Sequence, residues 1–152
     1  MTNQPDPLPA ADAGDRVWRA VEATGETGLR GPDICETQNL THSQFENGKA
    51  HVRDYRCADE QKCFLYDGDV YVVTRDPGRA ATAMAAKMRS IDKQLIRLHK
   101  SACDPIAKDG VHDEAFRYLK KQLEAMIDNL NIMRQSGYSV HSKQIREAAQ
   151  AR

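Results

Sequence analysis

The sequence predicts a mainly α-helical protein with one small β-hairpin, on three observations. Apolar residues recur at helical spacing along most of the chain. The runs Cys63-Phe64-Leu65-Tyr66 and Val70-Tyr71-Val72-Val73 are rich in β-branched and aromatic residues and flank Asp67-Gly68, a strong short-range hairpin signal. Beyond Asp76-Pro77-Gly78 the apolar spacing becomes the alternating 3 and 4 of a coiled-coil seam. With 152 residues, 40% apolar and 29% charged, the chain has room for one ordinary core and an extension.

Residues 1–14 hold three of the six prolines and little that is apolar, and read as a disordered arm. Asp15 is placed to cap a helix in which Val17, Trp18 and Val21 share a stripe, with Trp18 as a core anchor and Gly25 and Gly28 as the stop. Leu29-Arg30 forms a short extended segment. Pro32 then sits in the first turn of a second helix, Pro32 to Thr37, which Gln38-Asn39 breaks. Leu40 precedes a third helix, whose Thr41 and Gln44 have the spacing of a capping box. In that helix Phe45, Gly48, Val52 and Tyr55 form the inward stripe, leaving a polar side free.

The region after Pro77 contains two seams. Ala81, Met84, Met88, Ile91, Leu95, Leu98 and Ala102 form the first, stopped by Asp104-Pro105. Phe116, Leu119, Leu123, Met126, Leu130 and Met133 form the second, with Gly110 in the connecting loop, Gly137 at the end and a short basic tail from Ser139 to Arg152. Two such helices make an antiparallel hairpin that buries little alone, so the seams are expected to pair with those of a second copy.

The order helix, turn, helix, hairpin is the one a winged helix-turn-helix needs. On this reading residues 15–76 are a DNA-binding domain and residues 77–152 a helical coiled-coil dimerisation region. The free side of the third helix offers Thr41, His42, Ser43, Gln44, Asn47 and His51 for base edges, since Asn and Gln pair bidentately with adenine and Ser or His can donate to purine acceptors. Lys49, Arg53, Lys62, Arg75, Arg79 and Lys87 are the expected phosphate contacts. Polar residues on an exposed helix face are ordinary in themselves, so the order of elements carries the reading.

The formal net charge of zero hides an asymmetry. Residues 1–40 carry three basic and seven acidic side chains, residues 41–75 five and six, and residues 76–152 fourteen and nine. An acidic to neutral head argues against strong sequence-blind binding and leaves specific binding open. The hairpin tip Asp67-Gly68-Asp69 is acidic too, so the hairpin is expected to brace the third helix rather than grip phosphate.

No apolar run approaches the ~20 residues of a membrane helix, and the expected location is the cytoplasm. Cys35, Cys57, Cys63 and Cys103 are too few and too irregular for a secreted disulfide framework. The chain has no Gly-rich phosphate loop, HExxH, paired CxxC or GxSxG elbow. His99 with Cys103, or His51 with Cys57 and Cys63, offer too few metal ligands to predict a zinc site. Neither enzymatic activity nor a cofactor is expected, and the sequence names no effector.

Through Leu40-Thr41-His42-Ser43-Gln44-Phe45 and the Tyr66-Asp67-Gly68-Asp69-Val70 hairpin, the stretch from Asp15 to Asp76 resembles the bacterial winged helix-turn-helix transcriptional regulators, especially the small dimers of the MarR and PadR type. The resemblance is one of architecture, and the arginine that family carries at the wing tip is missing. It implies a homodimeric regulator, most simply a repressor, on a palindromic double-stranded DNA site. The alternatives are a DNA-organising partition or replication accessory protein of a plasmid or phage, and a protein-interaction adaptor that uses the winged fold as a scaffold.

Overall fold

The computed structural model describes residues 8–106 and 112–135. It is mainly helical with one small antiparallel sheet, and its helices are joined into two units, residues 1–80 and 81–152. None of the described helices is long and apolar enough to cross a membrane.

In the first unit, helix α1 spans Ala10–Ala23 and so begins five residues before the expected Asp15 cap. Residues 10–14, expected in the arm, are helical because Ala10, Ala11 and Ala13 favour helix and because Ala13 and Gly14 are buried. Residues 1–7 of that arm lie outside the described residues. A single 3₁₀ turn, Gly25–Thr27, follows. Helix α2 spans Gly31–Gln38 with Pro32 in its first turn, and Asn39 ends it in the left-handed conformation at φ 50°. Buried Leu40 leads into helix α3, His42–His51.

Helix α3 does not stop at His51. One π-helical turn, Val52–Arg56, carries the chain into α4, Cys57–Glu60, which Gln61 ends at φ 51°. The wide turn shifts the helical phase of the residues within and beyond it. This is why Tyr55, expected on the inward stripe with Phe45, Gly48 and Val52, is 60% exposed while those three are buried.

Strands β1, Cys63–Asp67, and β2, Val70–Thr74, pair with Tyr66 opposite Tyr71 and Asp67 opposite Val70. The loop is therefore Gly68-Asp69, and Gly68, at φ 69°, takes the first loop position, where a left-handed residue is required and glycine adopts it without strain. Leu29, in the expected extended segment, adds an isolated bridge to Tyr71 through hydrogen bonds of 2.9 and 2.8 Å.

The core of this unit joins Val17, Trp18 and Val21 of α1 to Ile34, Leu40, Phe45 and Val52 and to Phe64, Tyr71 and Val73 of the sheet. Trp18 is 1% exposed, as an anchor should be, and its indole N–H donates to Glu22 at 3.1 Å. Helices α1 and α3 cross at backbone contact. A Cβ on Gly48 would lie 2.9 to 3.1 Å from backbone atoms of Ala13 and Gly14, so glycine is what lets the two helices approach this closely.

Helix α5, Pro77–Leu98, starts in the first unit and has the rest of its length, from Ala81, in the second, where a π turn at His99–Cys103 prolongs it and α6 spans Glu114–Gln135. Asp92 meets Arg134 at 3.2 Å and His99 meets Glu124 at 3.0 Å, so the two helices run antiparallel within one chain. The contact does not follow the expected seam. Ala85 and Asp92 are the buried residues of α5, while Met84, Ile91 and Leu98 are exposed, as are Leu119 and Met126 on α6. Met88, Leu95, Phe116, Leu123, Leu130 and Met133 are half-buried. Gly110, Gly137 and the basic tail lie outside the described residues.

Candidate nucleic-acid interface

The entry to α3 is fixed by the expected capping box. The Gln44 backbone N–H donates to the Thr41 hydroxyl at 3.2 Å, and the Thr41 N–H donates to the Gln44 side-chain oxygen at 2.9 Å. Thr41 and Gln44, both expected at base edges, are thus engaged in forming the helix end. Burial of Phe45, Gly48 and Val52 turns the opposite face, Ser43, Asn47, Ala50 and Asp54, to solvent, with His42, Glu46 and Arg53 on one flank. His51 lies on the other flank, half-buried. Its ring stands against Gly14 of α1 and 5.0 Å from the Tyr55 ring, away from that face.

The six expected phosphate contacts are placed differently from one another. Lys49 is 7% exposed: its ammonium pairs with Glu46 at 2.8 Å, donates to the Tyr71 hydroxyl at 3.0 Å and lies over the Phe45 and Tyr71 rings. Burial alone would favour its neutral form, but hydrogen bonds to Glu46 and Tyr71 outweigh that and raise its pKa, while Lys49 in turn lowers that of Glu46. Helical phase explains the placement, since Lys49 follows Gly48 on the inward side and its long stem reaches the sheet.

Lys62 pairs with Glu22 at 2.6 Å and holds that carboxyl below its usual range. Arg75 donates to the carbonyls of Gln61 and Glu60 at 3.2 and 3.3 Å, closing the end of α4. Arg79 is clasped by Asp67 at 2.7 Å and Glu26 at 2.8 Å, which raise its pKa, and it also donates to the Glu26 carbonyl. The acidic hairpin tip therefore has an internal partner. Arg53 and Lys87 remain exposed, the Arg53 guanidinium standing 5.8 Å from the Phe64 ring.

Asp54 lies on the free side, as expected, whereas sequence reasoning passes over Ala50 and the Glu26–Arg79–Asp67 clasp. Ala50 follows from Ser43 and Asn47 by helical period and is legible in principle. The clasp spans 53 residues of sequence and leaves no local signal.

Among the described residues no group of three His, Cys, Asp or Glu side chains is placed to hold a metal. His99, one expected half of a ligand pair, lies between Asp104 at 3.1 Å and Glu124 at 3.0 Å, while Cys103 is buried. The four cysteines are free thiols, and burial raises the pKa of those at Cys35 and Cys57.

Comparison with known proteins returns no match to a family model, to a curated protein or to a solved structure. The site is read from its own residues.

Proposed function

We propose that the first unit is a winged helix-turn-helix head that reads double-stranded DNA, and that the protein is a homodimeric transcriptional regulator acting by occlusion of a palindromic site. The observation that carries the reading is a rigidly capped helix with its outer face left open. The capping box fixes the start of α3, α1 and the sheet hold its inner side, and Ser43, Asn47 and Ala50 face outward with no partner element among the described residues. Asn47 is the residue for a bidentate contact to adenine, Ser43 a donor or acceptor beside it, and the methyl of Ala50 suits a thymine methyl. His42 and Arg53 flank this set, Arg53 as the phosphate contact. The mechanism involves no catalysis and no cofactor.

Selection of duplexes from a random pool at ~150 mM salt tests the proposal. An enriched inverted repeat that Asn47→Ala weakens at one base position by about 1–3 kcal/mol supports it. No enrichment by the wild-type chain sinks it. Asn47 is a cleaner probe than Gln44, whose replacement also removes the helix cap.

A second reading, the protein-interaction adaptor, is favoured by one observation. Lys49, Lys62 and Arg79 are engaged with carboxylates of the same unit, so the head keeps few cations for phosphate.

A further inference from the structure

The helical hairpin of the second unit has one uncharged face and one charged face. Five exposed large apolar residues each stand one position before a residue turned to the other helix: Met84 before Ala85, Ile91 before Asp92, Leu98 before His99, Leu119 before Lys120, Met126 before Ile127; the exposed Tyr118 and Ile132 of α6 lie off this stripe. In an α-helix one step is a turn of about 100°, and because the two helices are antiparallel, the same backward step brings both stripes to the same side of the hairpin. A forward step leads to the opposite side, where Lys93, Lys100, Arg117, Lys121 and Asp128 stand. On the apolar side the outer flanks are Lys87, Gln94, Ser101, Gln122 and Asn129, with Lys87 at the rim as the one charge among them.

We infer that this uncharged face docks against the same face of a second copy, making a four-helix bundle. Three observations carry the choice of occupant. The hairpin is unfinished by itself: α6 has no buried residue and α5 only Ala85 and Asp92, so Leu95, Leu123 and Leu130 stay half-exposed unless another layer covers them. The five side chains are 39 to 63% exposed. At about 200 Å² for a fully exposed large side chain they present roughly 500 Å² per copy, at the limit of what a monomer shows. Two copies would bury roughly 1,000 Å² from these alone, and the half-buried residues beside them take the total to the ~1,200 Å² of a stable interface. A face that meets itself across a two-fold axis must also avoid opposing like charges, and the apolar face meets that condition where the charged one does not.

The inference supplies the contact for the homodimer of the proposed function and rests on that part of it; because it is tested without DNA, its failure would remove the dimer and its palindromic site but leave base reading by a single head standing, and a failure to bind DNA would leave the dimer standing. Sedimentation equilibrium of the full chain from 1 to 50 µM should give twice 17.0 kDa. Ile91→Glu with Met126→Glu should raise the dimer dissociation constant roughly 100-fold or more, because unpaired carboxylates would enter a desolvated contact. Lys93→Glu with Lys121→Glu, on the charged face, should leave the mass doubled. Helicity by circular dichroism should be unchanged in both pairs, since the replaced residues are exposed in the single chain. If the first pair loses helicity, hydrogen exchange of the wild type decides: protection of α5 and α6 that rises with protein concentration supports the inference. A mass of 17.0 kDa across the range, a dimer indifferent to the first pair, or concentration-independent protection overturns it.

Discussion

Replacing Gly48 by alanine sets two effects of opposite sign against each other. Within an isolated helix Gly→Ala is worth about 1 kcal/mol in favour of the folded state. At this position the new methyl would lie 2.9 Å from the Ala13 carbonyl carbon, 3.0 Å from its oxygen and 3.1 Å from the Gly14 nitrogen. Carbon atoms at rest are about 3.5–4.0 Å apart, so α1 would have to retreat by roughly 0.5–1 Å. Because the obstacles are backbone, no rotamer change relieves them, and α1 carries Val17, Trp18 and Val21 of the core with it. Overpacking of this kind costs about 1–3 kcal/mol, and its upper half applies here, so Gly48→Ala should destabilise by about 1–2 kcal/mol net. Gly14→Ala is the internal control: its methyl would lie 2.9 Å from the His51 ring, which can swing aside, and 3.3 Å from the Gly48 carbonyl oxygen and the His51 Cβ, milder contacts that the gain of about 1 kcal/mol in helix propensity offsets, so the change should be near neutral. Urea unfolding of the three proteins, with equal m values, gives the comparison. A Gly48→Ala protein as stable as wild type or more so, or one less affected than Gly14→Ala, would refute the close-crossing argument.

Lys49→Met should cost about 1–3 kcal/mol in the same assay, since it leaves the buried Tyr71 hydroxyl without its donor; a neutral result would mean that the ammonium makes no net contribution. The Glu22 and Glu46 carboxyls lie below 4.5 in the folded state, so their stabilisation is complete above that value and is lost as pH falls through the depressed ones. The stability gap between wild type and a Glu22→Gln, Glu46→Gln protein should therefore narrow from pH 6 to pH 3; a gap that does not change with pH would contradict the assignment. Lys49 behaves oppositely, its contribution fading above 10.5 as the raised pKa is approached. Asp92, 6% exposed, has one side-chain oxygen without a hydrogen bond, whereas its partner Arg134 is half-open to water. Asp92→Leu should therefore leave the hairpin unchanged or up to about 2 kcal/mol more stable by thermal unfolding, and a loss above about 1 kcal/mol would show that the pair stabilises the hairpin.

The elements that local chemistry dictates are legible in the sequence. Thr41 and Gln44 specify the start of α3, Asn39 the break before it and Gly68 the hairpin loop, because each acts within three or four residues. The features that escape a sequence reading depend on a distant neighbour or a local change of helical phase. Ala10 to Gly14 look like the end of a proline-rich arm until Gly48 is known to lie across them. Tyr55 looks like a core residue until a π turn shifts the phase. The alternating seam looks like one stripe, but a 3, 4 pattern alone does not say which of its members face the other helix of the hairpin, and Met84, Ile91 and Leu98 face away. The cations are the least legible part, since Lys49, Lys62 and Arg79 look like any solvated charges until Glu46, Glu22, Glu26 and Asp67 are brought beside them.

The internal pairing of these three cations bears on the ionic atmosphere of any DNA the head engages. A cation already neutralised by its own protein displaces no condensed counterion, which leaves Arg16, Arg19, Arg30, Arg53 and Arg75 as exposed guanidinium groups without a carboxylate in ion-pair range among the described residues, Arg16 and Arg75 donating to backbone carbonyls. With all five on phosphate, a slope of about 0.9 per contact lowers affinity about 500-fold per head between 50 and 200 mM salt, where adding the three paired cations would make the loss roughly 20,000-fold. A head built this way would lose less affinity to salt than its count of cations suggests, and would tell its target from bulk DNA through shape and hydrogen bonding.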